Sequence, residues 1–295
     1  MQVLEAAAAR TANPWPLRRE RAAELAERYP HAAEMLRLYQ ALTVVQEAVV
    51  QIPPELFPSP SGGGQGGGSY AIADIAVQQI LPGIVDVTVE VGPKGLRDGV
   101  INVFCSADLI NMVQRWLDQQ PLGPFETYLA RASASPLLEA LFTPHPDPPP
   151  QGGREKSPPP PQGGRELEME PSRTNCPNCG GPPQLSYFAV SGEALVSGPR
   201  YLVCSRCANN WVFSRMTCAA CGESTGNNLP IYQEQEHFPH VRVDGCQTCR
   251  KYLLTFDLRR DTRAVPIVDE IAALPLDLFA RNQGLTKITP NLMGN

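Results

Sequence analysis

The sequence predicts an α+β chain of more than one domain, with a mainly α-helical N-terminal half followed by two tandem β units that each enclose a metal. Three observations carry that expectation. Apolar positions at helical spacing recur through most of the first 143 residues, a Pro/Gly-rich stretch then interrupts the chain, and four Cys-x-x-Cys pairs follow it. The chain has 295 residues, 42% of them hydrophobic, which is enough for buried cores and excludes fibrous and fully disordered classes. Its 31 prolines and 24 glycines belong mainly in linkers and turns. With 25 Lys and Arg against 30 Asp and Glu, the formal charge of -5 opposes a surface built chiefly to neutralise phosphates. The N-terminal residues lack the basic-then-apolar order of a secretory signal, and no apolar run approaches the roughly 18 residues of a membrane span. A cytoplasmic protein without direct membrane insertion is expected.

Within the helical half (1–143), the stretch from Arg18 to Gln51 carries Leu36, Tyr39, Leu42, Val45 and Val49 at helical spacing and predicts two helices broken near Pro30. The prolines from Pro53 to Pro60 and the run SGGGQGGGS from Ser61 to Ser69 predict a flexible loop, and the Gly-Lys-Ser/Thr ending of a phosphate loop is missing. Helix is expected again from Tyr70 to Leu81. The alternating IVDVTVEV from Ile84 to Val91 predicts a strand. Two further helical patterns follow, Val100 to Leu117 and Phe125 to Phe142.

Residues 144–172 read as a solvated, semi-rigid linker, because PPPQGGRE occurs at Pro148 to Glu155 and again at Pro159 to Glu166. Beyond it the pairs are Cys176/Cys179, Cys204/Cys207, Cys218/Cys221 and Cys246/Cys249. Two residues between cysteines let one tight turn aim both sulfurs at one cation, and two such turns complete a tetrahedron. Gly180 and Gly222 follow a second cysteine, where freedom to take positive φ helps the turn close. Cys176 to Cys204 and Cys218 to Cys246 are both 28 residues apart, which reads as a tandem duplication with an offset of 42. Arg200 and Arg242 coincide at that offset. Equal halves favour sequential centres, one in 173–217 and one in 218–260, over a cross-braced pairing of first with third and second with fourth.

Six β-prone runs, such as Gln184 to Val190, Trp211 to Arg215 and Tyr252 to Leu258, outline small ribbons, with Trp211 and Phe213 as their packing. Four thiolates around a divalent ion leave net negative charge, for which Arg200, Arg206, Arg215, Arg242, Arg250 and Lys251 are candidate compensators or else ordinary surface cations. His237 and His240 have ligand-like spacing, but eight thiolates already fill two tetrahedra, so non-ligand roles are expected. Cys105 reads as a small buried hydrophobe rather than a reactive thiol. No Ser/His/Asp set or paired acidic motif marks a catalytic residue, so a non-enzyme is expected.

The order of motifs resembles the bacterial formate dehydrogenase accessory protein family, FdhE. The resemblance is carried by CPNCGGPP at Cys176 to Pro183, RYLVCSRC at Arg200 to Cys207, WVFSRMTCAACG at Trp211 to Gly222 and CQTCRKYL at Cys246 to Leu253. In the tail (261–295), Asp269, Glu270, Leu276 and Asp277 sit at the family's positions, while FETYLARA at Phe125 to Ala132 matches more diffusely. The resemblance implies two rubredoxin-like units and maturation of respiratory formate dehydrogenase in the cytoplasm. It further implies binding of that enzyme's catalytic subunit, and two metal ions per chain, iron rather than the zinc that all-thiolate ligation equally admits. A rubredoxin-type electron carrier and a zinc-ribbon nucleic-acid binder are the alternatives. From Cys176 to Arg260 eight Lys or Arg face six Asp or Glu, too even a balance for a phosphate footprint.

Overall fold

The computed structural model describes residues 13–52, 67–142, 173–189 and 198–294. The first of these segments folds as the sequence predicts. Helix α1 (Trp15–Arg28) is followed by a 3-10 turn at Pro30–Ala32 and then α2 (Ala33–Glu47), because Pro30 cannot continue a helix but can start a tight turn. Most of the Gly run and the 144–172 stretch lie outside the described residues. Gly67–Ile75 is already helical (α3), which moves the helix start into the predicted loop.

A π turn at Ala76–Ile80 leads from α3 directly into α4 (Leu81–Val91), so the strand expected from Ile84 to Val91 is a helix. The alternation there was misleading, since Leu81, Ile84, Val85 and Thr88 are the buried positions and their spacing is that of one helical face. Packing overrides β-propensity at this point. The face lies so close to α2 that a Cβ on Gly83 would stand 2.8 Å from Val45 Cγ1. Thr88 returns its hydroxyl to the Ile84 carbonyl at 2.6 Å and meets Tyr128 Oη at 2.7 Å. The combined span Ala71–Val91, 21 residues, is long and apolar enough to cross a membrane by length and composition. This corrects the expectation that no apolar run approaches the length of a membrane span, because Asp74, Asp86 and Glu90 interrupt the apolar residues in sequence yet leave the mean hydropathy of the whole helix high. In this fold Ile72, Ala73, Ala76, Ile80, Leu81 and Ile84 from it line the bundle core.

Helices α5 (Lys94–Ser106), α6 (Leu109–Leu117) and α7 (Pro124–Phe142) complete the bundle. Asp108 ends the first pattern by capping α6, accepting from the Asn111 N–H at 3.1 Å. Pro136 sits inside α7 and has no N–H for the carbonyl of Ala132; Gln46 Nε2 of α2 donates to that carbonyl instead, at 2.9 Å. A helix defect thereby becomes an interhelical contact.

The C-terminal half builds a single seven-stranded sheet from β1 (Pro183–Phe188), β2 (Arg200–Cys204), β3 (Asn210–Phe213), β4 (Ile231–Gln233), β5 (Val241–Gly245), β6 (Lys251–Asp257) and β7 (Thr286–Lys287). Its order is β3-β2-β1-β6-β5-β4, with β7 beside β6. The first three strands pair antiparallel, as do β4, β5 and β6, and the two groups meet through parallel β1 and β6, Ser186 opposite Thr255. Trp211 and Phe213 are buried, as expected for the packing of a small ribbon.

The last segment folds into α8 (Pro266–Ala272), α9 (Leu274–Asn282) and β7. It carries charges into the interior. Lys287 Nζ lies 2.8 Å from Glu270 Oε1 and 2.9 Å from Asp277 Oδ2, and all three side chains are almost free of solvent. Tyr252 Oη donates to Asp277 Oδ1 at 2.9 Å, and Gln184 Nε2 donates to Glu270. Burial first, and then the Asp277 carboxylate, push the Tyr252 hydroxyl above its ordinary range, so it remains a donor. Arg131 of α7 reaches Gln184 Oε1 and the Pro290 carbonyl, joining this network to the helical half. On the other side, Arg21 of α1 holds Asp269 of α8 at 2.5 Å and Asp261 at 2.9 Å.

Removing Lys287 would leave two carboxylates facing each other without water. Lys287→Ala is expected to destabilise the fold by about 3–5 kcal/mol. Urea unfolding, followed by both helical and tryptophan signals, checks this value.

Candidate metal centres

The eight paired cysteines gather into two groups, Cys176/Cys179/Cys204/Cys207 and Cys218/Cys221/Cys246/Cys249, with the sulfurs of each within 4.8 Å of one another. The groups follow the sequential order. None of the nine cysteines is in a disulfide. In the first group Cys176 and Cys207 sulfurs are 3.7 Å apart and those of Cys179 and Cys204 3.4 Å; in the second the matching pairs are 3.7 Å and 3.8 Å apart. A tetrahedron with metal–sulfur bonds of about 2.3 Å has edges of about 3.8 Å. The donors therefore fit a four-coordinate ion that prefers thiolate, and each cluster could hold one.

Each group takes one knuckle from a loop and one from the end of a strand. In the first, the Gly180 N–H returns to the Cys176 carbonyl at 2.9 Å and the Cys204 N–H to the Asn209 carbonyl at 2.9 Å. In the second, the Gly222 N–H returns to Cys218 at 3.0 Å and the Cys246 N–H to Lys251 at 2.9 Å. The residue after every second cysteine has positive φ: Gly180 (70°), Ala208 (53°), Gly222 (78°) and Arg250 (58°). Sequence reasoning found the two glycines and missed the other two. The signal was their common position in the motif, not their residue type.

Backbone amides point at the sulfurs, with Arg206 N–H donating to Cys204 and Ala220 N–H to Cys218, each at 3.4 Å. Hydrogen bonds from neighbouring sulfurs drive the Cys176 thiol below and the Cys207 thiol above the ordinary range, as expected when four acids share few protons. Burial raises the Cys218 thiol.

The candidate compensating cations have mostly structural partners. Arg200 is buried, 3.1 Å from Asp244 Oδ2, and bonds Ser186 Oγ and the Thr217 carbonyl. Arg206 is buried, reaches the Leu117 carbonyl at 2.7 Å and lies over the Trp116 ring. Arg215 and Arg242 both cover Phe188, while Arg250 bonds Gln247 Oε1 and the Gln283 carbonyl. Glu223, which the sequence reading passed over, bridges the second centre's knuckles by accepting from Thr248 Oγ1 at 2.6 Å and Thr225 N–H at 2.8 Å. The Thr248 bond first, then the Thr225 amide, hold its carboxyl down to about 2.

Neither histidine joins a cysteine group. His237 is exposed near Glu234, and His240 is buried 3.4 Å from Asp269, whose carboxylate Arg21 already holds. Cys105 is exposed on α5, contrary to the buried position expected of it, because its helix face turns away from the core.

Two outcomes follow from this geometry. Metal analysis of anaerobically purified chain is expected to give two ions per molecule, with sulfur-only ligation by X-ray absorption. Gly222→Ala is expected to cost about 1 kcal/mol in urea unfolding through backbone strain alone, since nothing stands within 4 Å of the added Cβ.

Two contiguous family models match this half of the chain, the FdhE central domain at residues 175–215 and the FdhE C-terminal domain at 216–293. Proteins described as FdhE homologs are similar to it. The one from Aquifex aeolicus is 34% identical over 119 residues, 40% of this chain and 41% of that protein, and the one from Pseudomonas aeruginosa is 36% identical over 128 residues, 41% of this chain and 40% of that protein. These matches span about two fifths of each relative's length. The homolog from Stutzerimonas stutzeri is 27% identical over 284 residues, 94% of this chain and 88% of that protein. The crystal structure of the FdhE protein from Pseudomonas aeruginosa has the same fold, with a TM-score of 0.64, 23% identity and coverage of 95% of this chain and 94% of that one. Through residues 175–293 this chain is similar to the FdhE family, and the full-length similarity to the Stutzerimonas stutzeri homolog extends that likeness over the helical half.

Proposed function

We propose that the chain is a cytoplasmic accessory protein for maturation of formate dehydrogenase, binding that enzyme's catalytic subunit, and that it does not itself oxidise formate. The observation that carries this reading is the coincidence of the two FdhE domain matches, 175–293, with the segment holding both cysteine clusters. In this reading Cys176, Cys179, Cys204 and Cys207 hold one ion, and Cys218, Cys221, Cys246 and Cys249 hold the other. Iron is favoured over zinc by the family resemblance. Bound iron would supply a reversible one-electron change of charge, whereas zinc would supply rigidity alone.

The chain's own residues do the rest. The cysteines fix the ends of β2 and β5, and Arg206 ties a knuckle of the first centre to the end of α6. The exposed Arg250 and Lys251 beside the last knuckle favour fast, salt-sensitive docking, which suits a transient role. Arg200 and Arg206 are turned inward onto protein partners, which speaks against a nucleic-acid surface. An electron-carrier reading is favoured by one observation, the exposure of Cys221.

Pull-down from a host cytoplasm with wild-type protein and a Cys246→Ser/Cys249→Ser variant is the test. Wild type is expected to recover the catalytic subunit, and the variant to lose most of it. Equal capture by both would overturn a metal-dependent role. Reversible reduction of iron-loaded protein without any capture would move the assignment to the electron carrier.

A further inference from the structure

Although the two cysteine groups share spacing and turns, and the first cysteine of every knuckle is buried, the second cysteine of each knuckle is more exposed in the second group. In the first group Cys176, Cys204 and Cys207 are 1–3% exposed and belong to the main hydrophobic core, with the half-exposed Cys179 packed against it. In the second, Cys218 and Cys246 are buried, but Cys249 is half-exposed and Cys221 exposed; Ala219 anchors the first knuckle in the main core, yet no cysteine of that group lies in either core cluster of the described residues. The backbone shows the same contrast. A Cβ on Gly181 would stand 2.8 Å from Arg206 Cδ and 3.1 Å from Cys204 Sγ, and one on Gly180 would approach Gln119 at 3.8 Å; one on Gly222 or Gly226 would meet open space.

The fastenings differ as well. The first group's second knuckle is tied down by the buried Arg206 guanidinium, which donates to the carbonyls of Trp116 and Leu117 at the end of α6. The second group's knuckles are clasped at the surface by Glu223, through Thr248, Thr225 and Asn228. A surface clasp opens at lower free energy than a core contact, because water replaces its bonds as they break.

The geometry points to a division of labour between the centres. The first is a permanent fastener between the sheet and the helical bundle. The second is an exchange site, where metal enters and leaves, and where an external thiolate or chelator donor displaces the Cys221 sulfur. In that step one metal–sulfur bond breaks and one metal–donor bond forms; the Cys221 thiolate leaves as a free side chain or takes a proton from water, and no electron moves. This division rests on the proposal that both clusters hold metal.

Full-length chain loaded with zinc is challenged with a colorimetric chelator while native mass spectrometry counts the ions. Two ions are expected at the start, released in two phases whose rates differ by about tenfold or more. Iodoacetamide labelling of the loaded protein, mapped by peptide mass, is expected to modify Cys221 first among the eight paired cysteines, with exposed Cys105 as the internal reference for an unligated thiol. Glu223→Ala is expected to quicken the fast phase and leave the slow one unchanged. Fewer than two ions at the start overturns the metal reading and the division with it. Two ions leaving at one rate, or Cys179 labelled as early as Cys221, overturns the division alone.

Discussion

Lys287 lies between Glu270 and Asp277 with all three side chains withdrawn from water, so this ion triad exists only when α8, α9 and β7 are all in place. Burial of these charges costs several kcal/mol each unless every partner is present. Partial structures are penalised by the same figure. Tyr252 extends the network to β6, while Gln184 and Arg131 extend it through β1 to α7. With Arg21 and Asp269 joining α1 to α8, the C-terminal segment becomes the common partner of the bundle and the sheet. A segment that reads as a tail is mechanically central.

The cysteine centres sit inside that frame. The first centre borders the bundle, so its two knuckles inherit the rigidity of the core around Trp116 and Leu202. The second lies on the far side of the duplication, held by strands β4 to β6 and by polar bonds at the surface. Two equally spaced cysteine sets are therefore chemically equal donors in unequal surroundings, and burial rather than ligand type separates them.

How much of this was legible depended on the range of the interactions involved. The cysteine groups were readable because four turns of fixed spacing state their own geometry, and the equal 28-residue intervals favoured the sequential grouping. Most strands were readable from β-branched runs. Ile84 to Val91 was misread because alternation over eight residues also satisfies a helix whose Leu81, Ile84, Val85 and Thr88 are covered, and only the partner helix decides. The positive φ of Ala208 and Arg250 was hidden by residue type. Asp269, Glu270 and Asp277 were noticed by resemblance alone. Their partners, Arg21, Lys287 and Tyr252, lie too far apart in sequence for any local pattern to pair them.

The parallel junction of β1 with β6 has one further consequence. Two copies of a ribbon related by a two-fold axis would bury the same edge twice, but here the contact is head to tail, strand β1 of one unit against β6 of the next. Head-to-tail contacts close into a ring only where the rotation allows and otherwise extend without limit. The flanks of the finished sheet, β3 and β4, are consequently the same two kinds of edge that meet at its centre. In principle one chain's flank is a template for another's. β3 has four residues and β4 three, and such brevity leaves too few free N–H and C=O groups for end-to-end growth. Two ribbons joined head to tail thus carry a polymerisation hazard, and the shortness of the outer strands is what contains it.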